Sequence, residues 1–426
     1  MTKTKYLLIL SITLLIFLSV FIYKYAFYGI PSWGPISITR SGTNEIATGK
    51  DLSFLKKIGD KSQIISFGEG THGSSEFNVY RLAFFKYLVE NCNYRFFLVE
   101  TDFANTVKIN DFVLTGKGDP KELLKNQSSW VWSTSEVLDI LNWIRNYNAF
   151  NSDERKVRFY GVDEKDVLKI SRLVKYVLQD QSDEESIGLI KSINQLYHLE
   201  KNSKPFILLL TQINLTIQNL FKENSQIYSN RNNYFILQTC VQLIKHYIKI
   251  NEVSYYGRGQ IIDKCRAENI LSILSFYGKG SKAFFAAHNV HVKKSVEGYF
   301  FNLVKQKRTG TYLRAAMGDK YYCIYSDFAQ GGFRAISTST NQKSIFYLPP
   351  SEDNLSFEIL KTFKVPFFMD LNKTMARSWA NSNRIFYNVG ATDGGKPRFR
   401  TLNLFESYDA YIFIPKVTPA EQLIKV

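Results

Sequence analysis

The stretch Ile64-Ile65-Ser66-Phe67-Gly68-Glu69-Gly70-Thr71-His72-Gly73-Ser74-Ser75 decides how this chain folds. It opens as an apolar run, and helix-patterned sequence follows it from Glu76 to Glu90. A strand that ends on Gly-Glu-Gly-Thr-His-Gly and turns into a helix delivers a carboxylate and an imidazole to the carboxyl edge of a sheet. Open α/β folds place their chemistry at that edge. Histidine is scarce: His72, His198, His246, His288 and His291 are all the chain has. His288 and His291 close a second apolar run, Phe284-Phe285-Ala286-Ala287-His288-Asn289-Val290-His291, whereas His198 and His246 fall in helix-patterned sequence and read as structural. Two runs of one design, each ending in imidazole, point to an active site.

Outward from these runs, β-like and α-like stretches alternate. Apolar runs occur at Gln63–Phe67, Arg95–Val99, Val157–Gly161, Lys282–Ala287, Tyr321–Tyr325 and Tyr411–Ile414. Between them lie amphipathic segments such as Ser135–Asn146, with Val137, Leu138, Leu141 and Ile144 on one face. Strands without polar alternation are buried on both faces, so the spacing predicts an α/β fold with a largely parallel central sheet covered by helices. Residues 166–255 differ, being rich in Leu, Ile, Gln, Asn and Lys at helical spacing with almost no Gly. They predict a helical insertion, a lid, between two halves of the catalytic domain at 51–165 and 256–426.

Composition narrows the function. Hydrophobic residues at 45% and charged residues at 22% are globular values. The net charge of +16 is dispersed, with no basic stripe or zinc knuckle, so nucleic acid is not an expected partner. Cys92, Cys240, Cys265 and Cys323 show no Cys-x-x-Cys spacing and read as buried free thiols, neither a disulfide framework nor a structural zinc site. From Tyr6 to Tyr23 the chain is uncharged and apolar. Eighteen helical residues span roughly 27 Å, close to the thickness of bilayer hydrocarbon. The exit Lys24-Tyr25-Ala26-Phe27-Tyr28 lacks the small residues of a cleavage site. Residues 1–28 are therefore expected to form an uncleaved single-pass anchor in the cell membrane, with the catalytic domain outside the cytoplasm. Residues 29–50, with Pro31, Gly34 and Pro35, read as a connector.

Three constellations could do chemistry. His72 suits a general base near neutral pH, with Glu69 to orient its ring. Arg81 stands roughly two and a half helical turns further on and reaches the site only if its helix leans over it. Glu100 closes the run Phe96-Phe97-Leu98-Val99, and His288 with His291 closes the third. Trp130, Trp132 and Trp143 could line a substrate cleft or pack in the core. There is no Gly-x-Ser-x-Gly elbow, no His-Glu-x-x-His, no Walker loop and no dinucleotide fingerprint. Three imidazoles with Glu69 and Glu100 could hold a divalent metal, but direct general-base chemistry with no cofactor is the preferred expectation.

Several of these motifs together resemble the erythromycin esterase family. They are Gly-Glu-Gly-Thr-His-Gly-Ser-Ser-Glu-Phe, Phe-Leu-Val-Glu100, Trp130-Val-Trp132 followed by Glu136-Val-Leu, and Phe159-Tyr-Gly161-Val-Asp163. Ala287-His-Asn-Val-His291 and the closing Tyr408-Asp409-Ala410-Tyr411-Ile412-Phe413-Ile414-Pro415-Lys416-Val417-Thr418-Pro419 complete the set. The resemblance runs in order from about Leu52 to Ala420. It implies hydrolysis of an ester, in characterised members a macrolide lactone, without a covalent enzyme intermediate and without a metal. His72 matches the essential histidine that activates water, and Glu69, Arg81, Glu100 and His288 match the other site residues. On this reading Glu69 and Glu100 orient rings and balance charge, while His288 and Arg81 hold the carbonyl oxygen. His291, Trp130, Trp132, Asp263 and Arg266 are expected around the substrate. The chain has Gly70 where the family has Ala, and Val290 where it has a small residue. In Ile262-Asp263-Lys264-Cys265-Arg266-Ala267-Glu268-Asn269 the family pattern is Arg-Asp-x-x-Met-x-x-Asn, so Ile262 replaces an Arg and Arg266 replaces the Met. If that Arg belongs to the site, either Arg266 or Arg258 must supply the guanidinium, or the chain acts on something else. Two rival readings are metal-assisted hydrolysis of another cell-envelope ester and a non-catalytic binding or envelope-biosynthesis accessory protein on the same fold.

Overall fold

The apolar run at Ile64 is a strand, Ile64–Glu69 (β1), buried at every position, and it turns into the helix Ser75–Cys92 (α1). Phe96–Asp102 (β2) leads into Phe103–Thr115 (α2), and Ser135–Ala149 (α3) precedes Arg158–Asp163 (β3). The helical interval is Val167–Leu178 (α4), Glu184–Leu196 (α5), Lys204–Glu223 (α6) and Arg231–Glu252 (α7); Tyr255–Tyr277 (α8) returns to the sheet. Ala283–His288 (β4) opens into the single turn Asn289–Val292 (α9), and Thr309–Met317 (α10) precedes Tyr321–Ile336 (β5). Lys343–Leu348 (β6), Phe367–Asp370 (β7) and Ala410–Val417 (β8) follow. This computed structural model describes residues 36–37, 40–41, 45–46, 52–127, 129–223, 230–299, 304–349, 354–372, 380–387, 389–392 and 399–423. The expected anchor lies outside the described residues, and among them no helix is long and apolar enough to cross a membrane.

Six strands run parallel in the order β8-β5-β1-β4-β2-β3. Antiparallel β7 flanks β8, and antiparallel β6 pairs with the outer half of β5. The expected Tyr321–Tyr325 run is only the start of β5, which is 16 residues long. Buried Asp327, which accepts hydrogen bonds from Ser356 Oγ and from Phe328 N, interrupts its apolar pattern. Both faces of the sheet are apolar, as the unalternating strands require. Ile64, Leu98, Tyr160 and Phe285 pack in one core with α4 to α8. Ile65, Phe67, Phe97, Val99 and Phe284 pack in the other with α1 and α3. Each fully buried Phe or Leu contributes about 1.5–3 kcal/mol, so the helical interval is held to the sheet by a shared core.

The topology places the site. After the helical interval the chain does not extend the sheet beyond β3; β4 enters between β1 and β2. Its register sets His288 opposite Glu69. Asn289 ties the end of β4 to β5, donating to Ser326 O at 2.8 Å and accepting from Ser326 N at 3.2 Å. The closing motif braces the turn after β1, since Thr418 donates to both Glu76 carboxylate oxygens from N and Oγ1 at 2.8 Å each.

Gly73 shows how tightly that turn is held. Its carbonyl accepts from Arg334 N at 3.0 Å and Ala420 N at 2.9 Å. A Cβ here would lie 1.9 Å from Arg334 O, a backbone atom that cannot step aside. Gly73→Ala is expected to lower stability by about 1–3 kcal/mol, measured by denaturant unfolding. It should also depress any activity that depends on the adjoining His72.

Candidate active site

The carboxyl end of β1 and the turn after it supply the first part of the site. Glu69 is almost fully buried, and its two oxygens are divided between two partners. Oε1 is 2.6 Å from His72 Nδ1, and Oε2 accepts from Arg81 at 2.6 Å. Arg81, fully buried on α1, also donates to Asn78 Oδ1 at 3.0 Å, Ala287 O at 2.9 Å and Phe67 O at 3.3 Å. Arg81 does reach the site, but as a fully buried group. The expectation that Arg81 holds the carbonyl oxygen is therefore corrected: its guanidinium faces Glu69 and backbone carbonyls, and it positions Glu69. With Nδ1 committed to Glu69, Nε2 is the nitrogen His72 has left for a water, and the side chain is 14% exposed.

Glu100, at the end of β2, anchors the second part. Its Oε1 lies 3.2 Å from His291 Nε2 and 3.3 Å from an Arg266 NH2, and its Oε2 accepts from His288 N at 3.2 Å. His291 Nδ1 is 2.7 Å from Asp263 Oδ1, so each ring nitrogen faces one carboxylate. Arg266 stands between three acids. It binds Asp163 through Nε at 2.6 Å and NH2 at 3.2 Å, and Asp263 through NH1 at 3.2 Å. Asp263 also accepts from Thr309 N and Oγ1 at 3.2 and 2.7 Å and pairs with Arg308 at 3.4 Å. Burial opposes ionisation of these acids, yet their partners win. His291, Arg266, Lys165 and His72 hold Glu100 well below the carboxylate range. His291, Arg266 and Thr309 bring Asp263 down to about 2. Glu164 goes the other way, pushed up to about 8 by burial and by the charge on Asp163.

His288 is brought to the site but not as a donor to substrate. It caps α9, its Nδ1 accepting from Val290 N at 3.3 Å, and its Nε2 is 3.2 Å from Val389 O. Burial, with His72 and His291 nearby, keeps it well below the usual histidine range and hence neutral. The ring lies 5.1 Å from that of His72. The expected role on the carbonyl oxygen is corrected here too, because both nitrogens are engaged.

Asp263 and Arg266 are 0% and 2% exposed, so the expected substrate contact is replaced by a supporting one: they fix His291 and Glu100 from below. Trp132, 3% exposed, likewise lies under the site, donating from Nε1 to Glu100 O at 3.2 Å with Arg81 over its ring. Trp130 is half-buried against the core of α1 and α3, and Trp143 packs on Phe85 and Tyr147. Of the two candidate replacement arginines, Arg266 is the one in the site.

Sequence reasoning did not single out Asp163, Lys165, Arg308 or Thr309. Asp163 carried the same signal as Glu69 and Glu100, an acid closing an apolar strand, two residues beyond the run that was read. Lys165 follows it and binds Asp163 Oδ2 at 2.9 Å with its side chain 51% exposed. Arg308 and Thr309 enter only through space. Two surface cavities, of about 660 and 1240 Å³, open at the amino ends of the strands, beside Arg95 and Arg158 and beside Tyr321, away from these residues.

The fold has known relatives. The family model described as Erythromycin esterase matches residues 89–417, a span that holds Glu100, Asp263, His288 and His291. Along 409 residues the chain is 22% identical to the "Putative hydrolase YbfO" of Bacillus subtilis (strain 168), covering 88% of each protein. A crystal structure of a Bacillus cereus protein superposes with a TM-score of 0.74 at 23% identity, over 92% of this chain and 97% of that one. A histidine-to-asparagine mutant of the erythromycin esterase EreC, in its open conformation, superposes with a TM-score of 0.64 at 15% identity, over 92% and 99%. The structural likenesses establish the shared fold, and the family match covers most of the sequence: the chain belongs to the erythromycin esterase family.

Proposed function

We propose that this site hydrolyses a carboxylic ester, a macrolide lactone or a related cell-envelope ester, by direct attack of water that His72 activates. The observation that carries the reading is the buried chain Arg81–Glu69–His72, with both links at 2.6 Å. Glu69 fixes the ring orientation and favours the imidazolium that forms when Nε2 takes a proton. The water oxygen then attacks the carbonyl carbon and gives a tetrahedral intermediate. As the ester C–O bond breaks, the imidazolium returns the proton to the departing alkoxide. In a lactone, acid and alcohol stay in one molecule, so the product gains one water. Ser74, two residues after His72, is buried and donates to Gly332 O at 3.4 Å, which supports water rather than Ser74 as the nucleophile.

The developing negative oxygen needs donors. With Arg81, His288 and both ring nitrogens of His291 engaged, the solvent-facing donor beside Glu100 is Lys165, and we assign the oxyanion to it. Asp163 holds the Lys165 ammonium at 2.9 Å.

Mass-spectrometric assay of purified protein against macrolides, simple lactones and linear esters tests the proposal. A mass gain of one water is expected with wild type, and a loss of about 10²–10⁴-fold in rate with His72→Ala. A well-folded wild type that turns over no ester in the panel would sink it. Lys165→Met should lower kcat by about 10²-fold or more at little cost in folding, as expected for one lost oxyanion donor. Arg266→Met should instead act on stability. It removes the guanidinium shared by Asp163, Asp263 and Glu100, and unfolding experiments are expected to show a loss of about 3–5 kcal/mol.

A further inference from the structure

His246, on α7, and Cys265 and Glu268, on α8, meet between the two helices and take no part in the chemistry above. Cys265 and Glu268 are three residues apart and so share one face of α8. Asp263 and Arg266 lie roughly 160° around the same helix, on the face turned to the active site. His246 and Cys265 are buried, and Glu268 is half-exposed. One donor atom from each of the three lies within 4.8 Å of the other two, and no other His, Cys, Asp or Glu group among the described residues meets that condition.

His246 Nε2 lies 3.0 Å from Glu268 Oε2, and the Asn269 side chain also hydrogen-bonds the His246 ring. With the ring proton on Nδ1, the Nε2 lone pair points at a carboxylate, and a cation shared by imidazole and carboxylate removes that conflict.

We propose that His246, Cys265 and Glu268 form a structural binding site for a zinc-class divalent ion, separate from the active site. One imidazole, one thiolate and one carboxylate make a borderline-soft donor set that suits tetrahedral Zn²⁺, with water as fourth ligand on the exposed Glu268 side. Nitrogen and oxygen ligands at about 2.0–2.1 Å on a tetrahedral ion stand ~3.3 Å apart, close to the separation present, and the thiol has on the order of an ångström to close. Binding replaces the Cys265 S–H proton, released to solvent, with the metal–sulfur bond. The ion pins α8 to α7 from behind, so it stiffens the helix that carries Asp263 and Arg266.

The test is titration of the purified, reduced, metal-free full chain with Co²⁺ and with Zn²⁺. One equivalent of Co²⁺ should produce a thiolate-to-cobalt charge-transfer absorption with tetrahedral d–d bands, and Zn²⁺ should release one proton and raise the thermal midpoint. Cys265→Ser should abolish the charge-transfer band and the thermal shift, and His246→Gln should weaken binding at least about tenfold. His72→Ala should keep both signals, which separates this site from the active-site histidines. No charge-transfer band in wild type, or a band that survives Cys265→Ser, overturns the proposal. If Cys265→Ser does not fold, Glu268→Gln, at a half-exposed position, decides: affinity reduced at least about tenfold supports the site, and unchanged affinity overturns it.

Discussion

The entry of β4 between β1 and β2 is the constraint on which the rest of the structure depends. Parallel pairing with both neighbours fixes its register, and the register sets His288 against Glu69 and brings Glu100 to the backbone of His288. A slip of one residue would turn the strand over and bury the wrong side chains on both faces. The two apolar cores that flank the sheet therefore specify the position of the imidazoles as firmly as any contact within the site. Asn289 and the Thr418–Glu76 pair then hold the loops on either side, so the turn carrying His72 is braced from the far end of the sequence.

Buried charge is the second constraint. Removing ions from water costs several kcal/mol each, and pairing repays it only when the geometry is good and the remaining polar atoms are satisfied. Here Arg266 meets Asp163, Asp263 and Glu100, and Arg81 meets Glu69 and two backbone carbonyls. Such a network adds little net stability compared with apolar packing. What it gives is orientation: His72 and His291 each face carboxylates that cannot move, because those carboxylates are held by guanidinium groups that cannot move either. Preorganised dipoles of this kind lower a barrier without reorganising during the reaction.

Much of this was legible in the sequence, and the reason is periodicity. β1, β2, β3 and β4 announce themselves as apolar runs, and the acid or histidine that closes the runs of β1, β2 and β4 is visible because the same pattern recurs. Depth was not legible. Nothing in the spacing of Arg81 or His288 distinguishes a group that touches substrate from one that lies under the site, since both readings put the residue near a strand end. Burial decides it, and burial is a property of the assembled sheet. Asp163 was missed because β3 runs two residues beyond its apolar segment. Arg308 and Thr309 were missed because they reach Asp263 across space, with no local pattern. The apolar anchor read at Tyr6–Tyr23 lies outside the described residues.

The departure at Ile262 shows how far a family pattern constrains chemistry. In the pattern Arg-Asp-x-x-Met, the Arg and the Met stand four residues apart, which is one helical turn and so one face. This chain has Ile262 and Arg266 at those positions, a guanidinium and an apolar side chain exchanged along the same face. Asp263 keeps its place beside them and binds Arg266 at 3.2 Å. The exchange moves the cation's point of attachment by about 6 Å along the axis, but the long Arg side chain can still occupy the space between Asp163, Asp263 and Glu100. In this chain the cation among Asp163, Asp263 and Glu100 is Arg266. Residue-by-residue agreement at this position would have counted the site as broken, although the three acids retain their counter-charge.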